Sequence, residues 1–475
     1  MIINSSKLQF IKNYKNLIFL LLGILIFIFS HNNGMFWDNV LFASKLGNVL
    51  FENSIFNWNI PQEFDPGHPP FLGFLLAVFW KILGHKIWVG HLLILLFNVG
   101  FFYQLHKFIS YFINGFKLQF LAFILIIIDP TLSASFVLVN PEIIILFLFL
   151  LTINSILFKN NLLKFIGLFF LSIVSYRSMM VFGGIFLYEI IYKVLLEKKS
   201  LITTINIRFL FFYFLASLPG FTFVLWRLIT KGWLQSHPNS PWSSLWQFAD
   251  FKIFIKNLLI LFHRYLDFGR VFIFLFILFS LFKIGKPIFK SSKNKQLILL
   301  SITSVIFVII VSLIATNTMG HRYFIISYIC ITLFAFRVLI SFFKKKKIVY
   351  AILFIGLLTG NLWVYPKKIS QGWDATLAHI PYYSLRLEAI DYLNNNKIEV
   401  TEVASFFPNL TSLDNVDLQK DKRSFSEFNS ENEYVLYSNV YNLTDKELNT
   451  LDYKYSILKE FNKFNIQIII YILKK

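Results

Sequence analysis

Cysteine is almost absent from this sequence: Cys330 is the only one among 475 residues. A single cysteine excludes an intrachain disulfide, a Cys-x-x-Cys redox pair and a thiolate zinc site. Charged residues are also scarce, at 15% of the chain, whereas hydrophobic residues make up 56%. Several apolar runs are long enough to cross a bilayer, so a soluble protein is excluded and the sequence predicts a polytopic membrane protein.

Acidic residues are rare in the first three quarters of the chain. Residues 1–365 hold 32 Lys and Arg against 10 Asp and Glu, a net charge of +22, whereas residues 366–475 hold 13 against 15, a net charge of −2. The basic residues are dispersed among apolar segments and form no continuous stripe, so they indicate membrane topology and no nucleic-acid partner. The change in composition predicts a membrane domain, 1–365, and a small C-terminal domain, 366–475.

Eleven apolar segments are predicted to be membrane-spanning helices. They are residues 17–34, 87–106, 118–137, 142–158, 162–176, 179–192, 209–228, 271–283, 296–316, 323–342 and 348–365. A further apolar stretch, Pro70 to Leu83, has about 14 residues, which is short for a span and suits a juxtamembrane or re-entrant helix. Lys7, Lys12 and Lys15 precede the first segment without a small-residue cleavage site after it, which predicts an uncleaved signal anchor.

The distribution of basic residues predicts the orientation. If Pro70 to Leu83 does not cross, 21 of the 32 basic residues of the membrane part fall on the inner side. The protein is then expected in the inner (plasma) membrane, with a cytoplasmic N-terminus and an exoplasmic C-terminal domain. Eight of the ten acidic residues of the membrane part fall on the outer side: Asp38, Glu52, Glu63, Asp65, Asp129, Glu142, Asp250 and Asp267. The outer face is therefore the expected active face.

The remaining segments predict a long loop and a mixed domain. The loop 229–270 contains a basic amphipathic stretch, 251–264, which is expected to lie in the membrane interface. The C-terminal residues predict a small α/β domain. Its elements are a helix at 382–395, strands near 400–406, 434–438 and 453–461, a short helix at 444–451 and a final strand at 466–473.

Polar residues gather in the first outer loop, residues 31–68. Burying polar groups at membrane depth is unfavourable in free energy, so polar residues found there often have a function. Asp38 lies about one helical turn beyond the first apolar helix, where its carboxylate could act as a general base; the alternative is a solvated loop acid. Asp65, Gly67 and His68 precede two prolines that fix the backbone, so they form a candidate phosphate- or metal-binding corner; the alternative is a structural histidine.

Three further polar spots are predicted at outer helix ends. They are Asn140-Pro141-Glu142, Tyr176-Arg177-Ser178 and Gly320-His321-Arg322-Tyr323. Arginine is the preferred side chain for bidentate phosphate contact, so two arginines at outer helix ends suit an anionic headgroup. The alternative is that these side chains reach lipid headgroups without binding a specific ligand.

Together these motifs resemble the GT-C superfamily of polyprenyl-phosphate-sugar glycosyltransferases. The resemblance rests on an aspartate soon after the first helix, the His68-Pro69-Pro70 entry into an apolar helix, the Asn140-Pro141-Glu142 corner and the late Arg322-Tyr323-Phe324, and it covers roughly residues 15–330. The nearest relatives would be the protein O-mannosyltransferases and the aminoarabinose transferases of lipid A. The resemblance implies a GT-C-like all-α membrane domain with juxtamembrane helices in its first outer loop.

The resemblance also implies roles for individual residues. Asp38 matches the catalytic aspartate, Glu142 the second outer acid and Arg322 the late arginine near the donor phosphate. His68 takes the place of the basic residue that approaches this phosphate, with Arg177 and His321 beside it and Asp65 and Tyr323 as further site residues. Asn39 stands where many mannosyltransferases have Glu, so neither mannose nor their acceptor preference follows.

The expected function is an inverting transfer of a sugar from a polyprenyl phosphate to an acceptor hydroxyl on a protein, lipid or glycan, with or without a divalent cation. The alternatives are a polytopic transporter or lipid flippase, and a glycan polymerase or ligase. Transporters typically place ionisable residues near the bilayer midplane, whereas here the acids gather at one face. This pattern favours the enzyme over the transporter, and it does not separate a transferase from a polymerase or ligase.

Overall fold

The computed structural model of the chain describes residues 14–235, 237, 247–316, 319–367 and 369–474. Helices dominate residues 14–359. They are α1 (Lys15–Ser30), α2 (Leu46–Glu52), α3 (Phe71–Leu83), α4 (Ile87–Phe112), α5 (Phe116–Ile127), α6 (Pro130–Val137), α7 (Glu142–Leu157), α8 (Asn161–Val174), α9 (Tyr176–Ile191), α10 (Leu201–Thr204), α11 (Ile207–Lys231), α12 (Phe251–Leu266), α13 (Val271–Ile284), α14 (Ser292–Thr303), α15 (Ile306–Ile314), α16 (Ile325–Phe342) and α17 (Lys346–Thr359).

Five helical segments in the described ranges are long and apolar enough to cross a membrane. They are Ile87–Phe112, Tyr176–Leu196, Ile207–Lys231, Ser292–Ile314 and His321–Phe342. Two bent pairs, α5 with α6 and α12 with α13, raise the number to seven if each pair is one span. Length and composition thus indicate an integral membrane protein.

The predicted helix 118–137 is interrupted, because the chain bends by 76° between α5 and α6. The local sequence explains the break. Pro130 begins α6, and a proline both lacks a backbone donor and disfavours a helical conformation in the residue before it. Asp129 caps α6, since its Oδ1 accepts hydrogen bonds from the backbone N–H groups of Thr131 and Leu132. The hydropathy of this segment gave no sign of the bend.

A buried ion pair joins this bend to a second one. Helices α12 and α13 meet at 90°, and Arg270 at the start of α13 donates two hydrogen bonds to the Asp129 carboxylate, at 2.8 and 2.7 Å. Both side chains are at most 5% exposed. The Arg270 guanidinium also lies over the Tyr328 ring on α16, 3.9 Å from its centre. The pair therefore fixes two helix breaks and a long helix relative to one another.

The C-terminal residues form a five-stranded sheet with helices against it. Its strands are β1 (Val403–Ser405), β2 (Ser426–Glu427), β3 (Tyr434–Ser438), β4 (Tyr455–Lys463) and β5 (Ile466–Leu473), in the spatial order β2-β1-β3-β5-β4. Its helices are α18 (Pro381–Asn395), α19 (Leu413–Asp417) and α20 (Asp445–Lys454). All predicted C-terminal elements are confirmed, although the strand expected at 400–406 is reduced to three residues. The two-residue β2 and the five-residue α19 are too short for a sequence pattern to show.

The C-terminal residues pack directly on the first outer loop. The Met35 N–H donates to the Val416 carbonyl at 2.8 Å, and the Asn48 side chain donates to that of Asn415 at 2.7 Å. Phe36 is 1% exposed and belongs to the hydrophobic core of the C-terminal residues. The loop that carries Asp38 and the C-terminal part of the chain therefore lie on the same side of the helices.

Breaking the pair between the two bends should destabilise the protein strongly. We expect Asp129→Ala to lower the free energy of unfolding by about 3–5 kcal/mol, because it leaves the buried Arg270 charge uncompensated. Thermal unfolding in detergent, followed by tryptophan fluorescence, measures the change. Asp421→Ala is the matched control, since Asp421 pairs with Arg423 where both side chains are partly exposed, and it should cost about 1 kcal/mol or less. Equal shifts in the two variants would contradict this role for Asp129.

Candidate functional site

Arg322 is the centre of a cluster of charged side chains at the end of the helices where residues 31–68 lie. One terminal nitrogen of its guanidinium donates to Asp38 and the other to Asp374. Its Nε lies 3.4 Å from Oε1 of Glu142. The three carboxylates come from the first outer loop, the first residue of α7 and the segment after α17, so Arg322 joins three distant parts of the chain.

Arg177 completes this group from the first turn of α9. Its guanidinium lies 2.5 Å from the same Oε1 of Glu142, so the two arginines share one carboxylate. Tyr323 stacks against the Arg177 guanidinium, with 4.3 Å from ring centre to Cζ. Glu142 is 4% exposed, and its position at the N-terminus of α7 further stabilises its negative charge. We call Asp38, Glu142, Arg177, Arg322 and Asp374 the arginine–carboxylate cluster.

The sequence predicted four of these five residues and missed Asp374. A local signal for it exists, because Trp373-Asp374 repeats the Trp37-Asp38 dipeptide. Both pairs follow an apolar segment, although Asp38 lies about four residues beyond the predicted segment 17–34 and Asp374 about nine beyond 348–365. The chain contains no other Trp-Asp pair.

The cluster holds more negative than positive charge. Three carboxylates face two guanidinium groups, and the cluster therefore carries a formal charge of −1 when every group is ionised. Burial raises the pKa of the Asp374 carboxyl, the positive charge of Arg322 opposes this, and the negative charges of Asp38 and Glu142 raise it further. Its surroundings therefore favour the protonated form of Asp374 more than water does.

The three carboxylates of the cluster differ in how far their side chains are exposed. The Asp38 side chain is 32% exposed, against 18% for Asp374 and 4% for Glu142. Trp37 has a backbone φ of +51°, an uncommon conformation for a bulky residue, and it turns the chain immediately before Asp38. Asp38 is therefore the carboxylate of the cluster that an outside molecule reaches most easily.

His68 lies beside the cluster as a neutral imidazole. Its ring packs edge-on against Phe42, with 4.8 Å between ring centroids, and at a tilt of 50° against Tyr176, with 5.3 Å between centroids. Burial, followed by the positive charges of three nearby arginines, lowers the pKa of His68 to about 3. These arginines are Arg177, Arg227 and Arg322. His68 is therefore near the predicted phosphate-binding arginines and adds no positive charge to them at neutral pH.

Asp65 joins a neighbouring ion pair instead of this cluster. Its Oδ2 lies 3.0 Å from Arg227, and its Oδ1 accepts the Gly67 N–H at 2.9 Å. Arg227 also donates to the Leu234 carbonyl at 2.7 Å. Gly67 has φ +87°, and a Cβ there would meet the Gln235 carbonyl oxygen at 1.7 Å. Asp65 and Gly67 thus hold the first outer loop against the chain that follows α11.

His321 likewise points to a different partner. Its Nε2 lies 2.7 Å from the Asp267 carboxylate, at the bend between α12 and α13, and its ring stacks on Phe268. His263, Asp267 and His321 are the group in the described residues whose ligand atoms lie close enough to hold a metal ion. Arg264, however, lies 3.4 Å from His321 Nε2, and its positive charge opposes a cation there. The structure therefore separates His321 from the neighbouring Arg322.

Two solved structures share this fold along nearly the whole chain. Both are crystal structures of ArnT from Cupriavidus metallidurans, one bound to undecaprenyl phosphate and one in the apo state. Their TM-scores are 0.52 and 0.53, each is 10% identical to this sequence, and each covers 96% of this chain and 97% of its own. No family model and no curated protein sequence matches this chain. The likeness confirms the fold that the motifs implied.

Proposed function

We propose that this protein is an inverting membrane glycosyltransferase that transfers a sugar from a polyprenyl phosphate donor to an acceptor hydroxyl. The observation that carries this proposal is the convergence of Asp38, Glu142, Arg177 and Arg322 in one cluster. A general base and two arginines at the outer end of a membrane protein are the groups that this reaction needs. The shared fold with ArnT, which binds undecaprenyl phosphate in one crystal structure, supports the same donor class.

In the proposed reaction, Asp38 accepts the proton of the acceptor hydroxyl as its oxygen attacks the anomeric carbon. The sugar passes through an oxocarbenium-like transition state, and attack from the face opposite the leaving phosphate inverts the configuration. The bond between the anomeric carbon and the phosphate oxygen breaks, and its electron pair leaves with the phosphate. The exposure of Asp38 fits this role, because a base must reach the acceptor.

The two arginines would bind the phosphate. Its negative charge grows as the bond to the sugar breaks, and preorganised guanidinium groups stabilise that charge in the transition state. Arg177 and Arg322 are already held in place by Glu142 and by the Tyr323 ring. The N–H of the neutral His68 imidazole can donate one hydrogen bond to the phosphate, and charge compensation is left to the arginines.

We propose that all eleven predicted segments cross the membrane, with the cluster and the C-terminal domain on the outer side. The crossings correspond to the five long helices, the bent pair α5–α6, helix α13 and four shorter helices, α1, α7, α8 and α17. The 90° bend before α13 lets α12, which includes the basic amphipathic stretch 251–264, lie in the interface. Lys and Arg concentrate at the opposite end, as the positive-inside rule requires.

Labelling of single cysteines tests this orientation. In a Cys330→Ala background, we expect an impermeant maleimide added to intact cells to label Ser54→Cys in the first outer loop and Lys446→Cys in α20. Lys345→Cys should react only after the cells are opened. All three positions are exposed in the structure, so access to the reagent depends on the side of the membrane. If intact cells label Lys345→Cys and do not label Lys446→Cys, the orientation is the opposite of the one proposed.

Removal of the proposed base should abolish transfer while sparing donor binding. We expect Asp38→Asn to lower kcat by about 10²- to 10⁴-fold, the usual contribution of a general base, because the amide cannot accept the hydroxyl proton. Transfer of labelled sugar and binding of undecaprenyl phosphate are measured on the same preparation. Glu52→Gln, an exposed acid of the same loop, is the control and should retain activity. Near-normal turnover of Asp38→Asn would remove Asp38 from the mechanism.

The phosphate contact of Arg322 is tested by a charge-conserving change. We expect Arg322→Lys to raise KM for the donor about tenfold or more, since a hydrogen bond to a charged group contributes about 1.5–3 kcal/mol and lysine cannot grip two oxygens. Arg423→Lys, at a partly exposed position of the C-terminal domain, should leave KM unchanged. Full activity of Arg322→Lys would show that a single positive charge is sufficient for donor binding and would contradict the bidentate contact.

A further inference from the structure

Asp374 is held in the cluster by contacts of its chain neighbours. It lies in a short helical turn, Trp373–Ala375. Its two neighbours in this turn, Trp373 and Ala375, are at most 3% exposed. The Gln371 side chain accepts the Tyr365 N–H at 2.9 Å and donates to the Trp363 carbonyl at 3.1 Å. Gln371 thus ties the chain just before Asp374 to residues 363–365, and the contact of Asp374 with Arg322 is part of the packed structure.

The two carboxylates on Arg322 stand where a phosphate must bind. Asp38 and Asp374 each engage one terminal nitrogen of the guanidinium. A bidentate phosphate contact needs adjacent donors of the same planar group. Each terminal nitrogen keeps a second N–H, so a phosphate can reach both nitrogens, but its negative charge then lies beside both carboxylates. Moving one carboxylate away from Arg322 relieves that repulsion.

Charge balance indicates which carboxylate must be neutralised. A sugar phosphodiester brings one more negative charge to a cluster whose formal charge is already −1. Glu142 remains paired with Arg177, and Asp38 must stay ionised to act as a base. Arg322 is the sole ion-pair partner of Asp374 among the described residues, so Asp374 loses its compensating charge when the phosphate takes Arg322.

We propose that Asp374 is a charge-compensating residue of the donor site, which the donor phosphate displaces from Arg322 and which then binds one proton. This inference rests on the proposed function. The exchange is balanced: the phosphodiester adds one negative charge, a proton from solvent adds one positive charge, and the total charge of the cluster is unchanged. The C-terminal part of the chain thereby contributes a side chain to donor binding and does more than cover the outer face.

The charged groups that face Asp374 are Arg322, Asp38, Glu142, Arg177 and Arg264, and burial raises the pKa of Asp374 among them. Because the complex holds one more proton than the free protein, donor affinity should increase as the pH falls. His68 is the competing proton acceptor. His68 lies near Arg177 and Arg322 and is neutral in the free protein, so it could bind the proton instead. Proton uptake must therefore be measured for a His68 variant as well as for an Asp374 variant.

The test is calorimetric titration of the full-length protein in nanodiscs with a polyprenyl methyl phosphodiester, whose single charge does not titrate near neutral pH. Titrations in two buffers of different ionisation enthalpy count the protons bound. We expect the wild type to take up about one proton per probe molecule. Asp374→Asn should take up none, bind about tenfold more tightly at neutral pH and lose the pH dependence, because its neutral amide already removes the competing charge.

Three variants make the outcome specific. Asp374→Glu keeps the charge and should retain proton uptake, and Asp452→Asn, an exposed acid of the C-terminal domain, should behave as the wild type. His68→Gln should also retain uptake. Unchanged uptake in Asp374→Asn, or its loss in His68→Gln, would overturn the proposal while leaving donor binding intact. Failure of the wild type to bind the probe at all would instead refute the proposed function and this inference with it.

Discussion

The need to compensate the charge of the largely buried Arg322 guanidinium holds together the end of the protein where residues 31–68 meet the C-terminal residues. An arginine that is 10% exposed cannot be left unpaired without a large cost in free energy, and its partners must therefore come to it. They come from the first outer loop, from the start of α7 and from the segment that leads into the C-terminal sheet. One charge thus brings together residues that are more than three hundred positions apart in the chain.

The same constraint acts at a second point, where Asp129 and Arg270 join the two helix bends. Each bend leaves backbone and side-chain polar groups without helical partners in a buried setting, where they must be satisfied within the protein. Capping of α6 by Asp129, its pair with Arg270 and the His321–Asp267 contact satisfy several of them. These contacts are structural, and they leave the arginine–carboxylate cluster as the group with both charge and access.

Within the proposed site, charge compensation falls to the arginines. The double proline holds His68 near Arg177 and Arg322, yet burial and the neighbouring positive charges keep it neutral. A cationic residue at this position would repel the arginines in the donor-free protein. The cluster has more carboxylates than guanidinium groups, so an anion that binds there needs an added positive charge to balance it. A proton on Asp374 would supply that charge.

The sequence alone determined the apolar helices, the C-terminal strands Tyr434–Ser438 and Ile466–Leu473, and four members of the cluster, because hydrophobic periodicity and polarity at helix ends are local signals. The tertiary structure decided the bend at Asp129, the partners of Asp65 and His321, the neutrality of His68 and the entry of Asp374 into the cluster. A polar residue near the membrane surface gives the same signal whether it supports a bend or faces a ligand. Which of these it does depends on the charges that folding places within a few ångströms of it, and those come from distant parts of the chain.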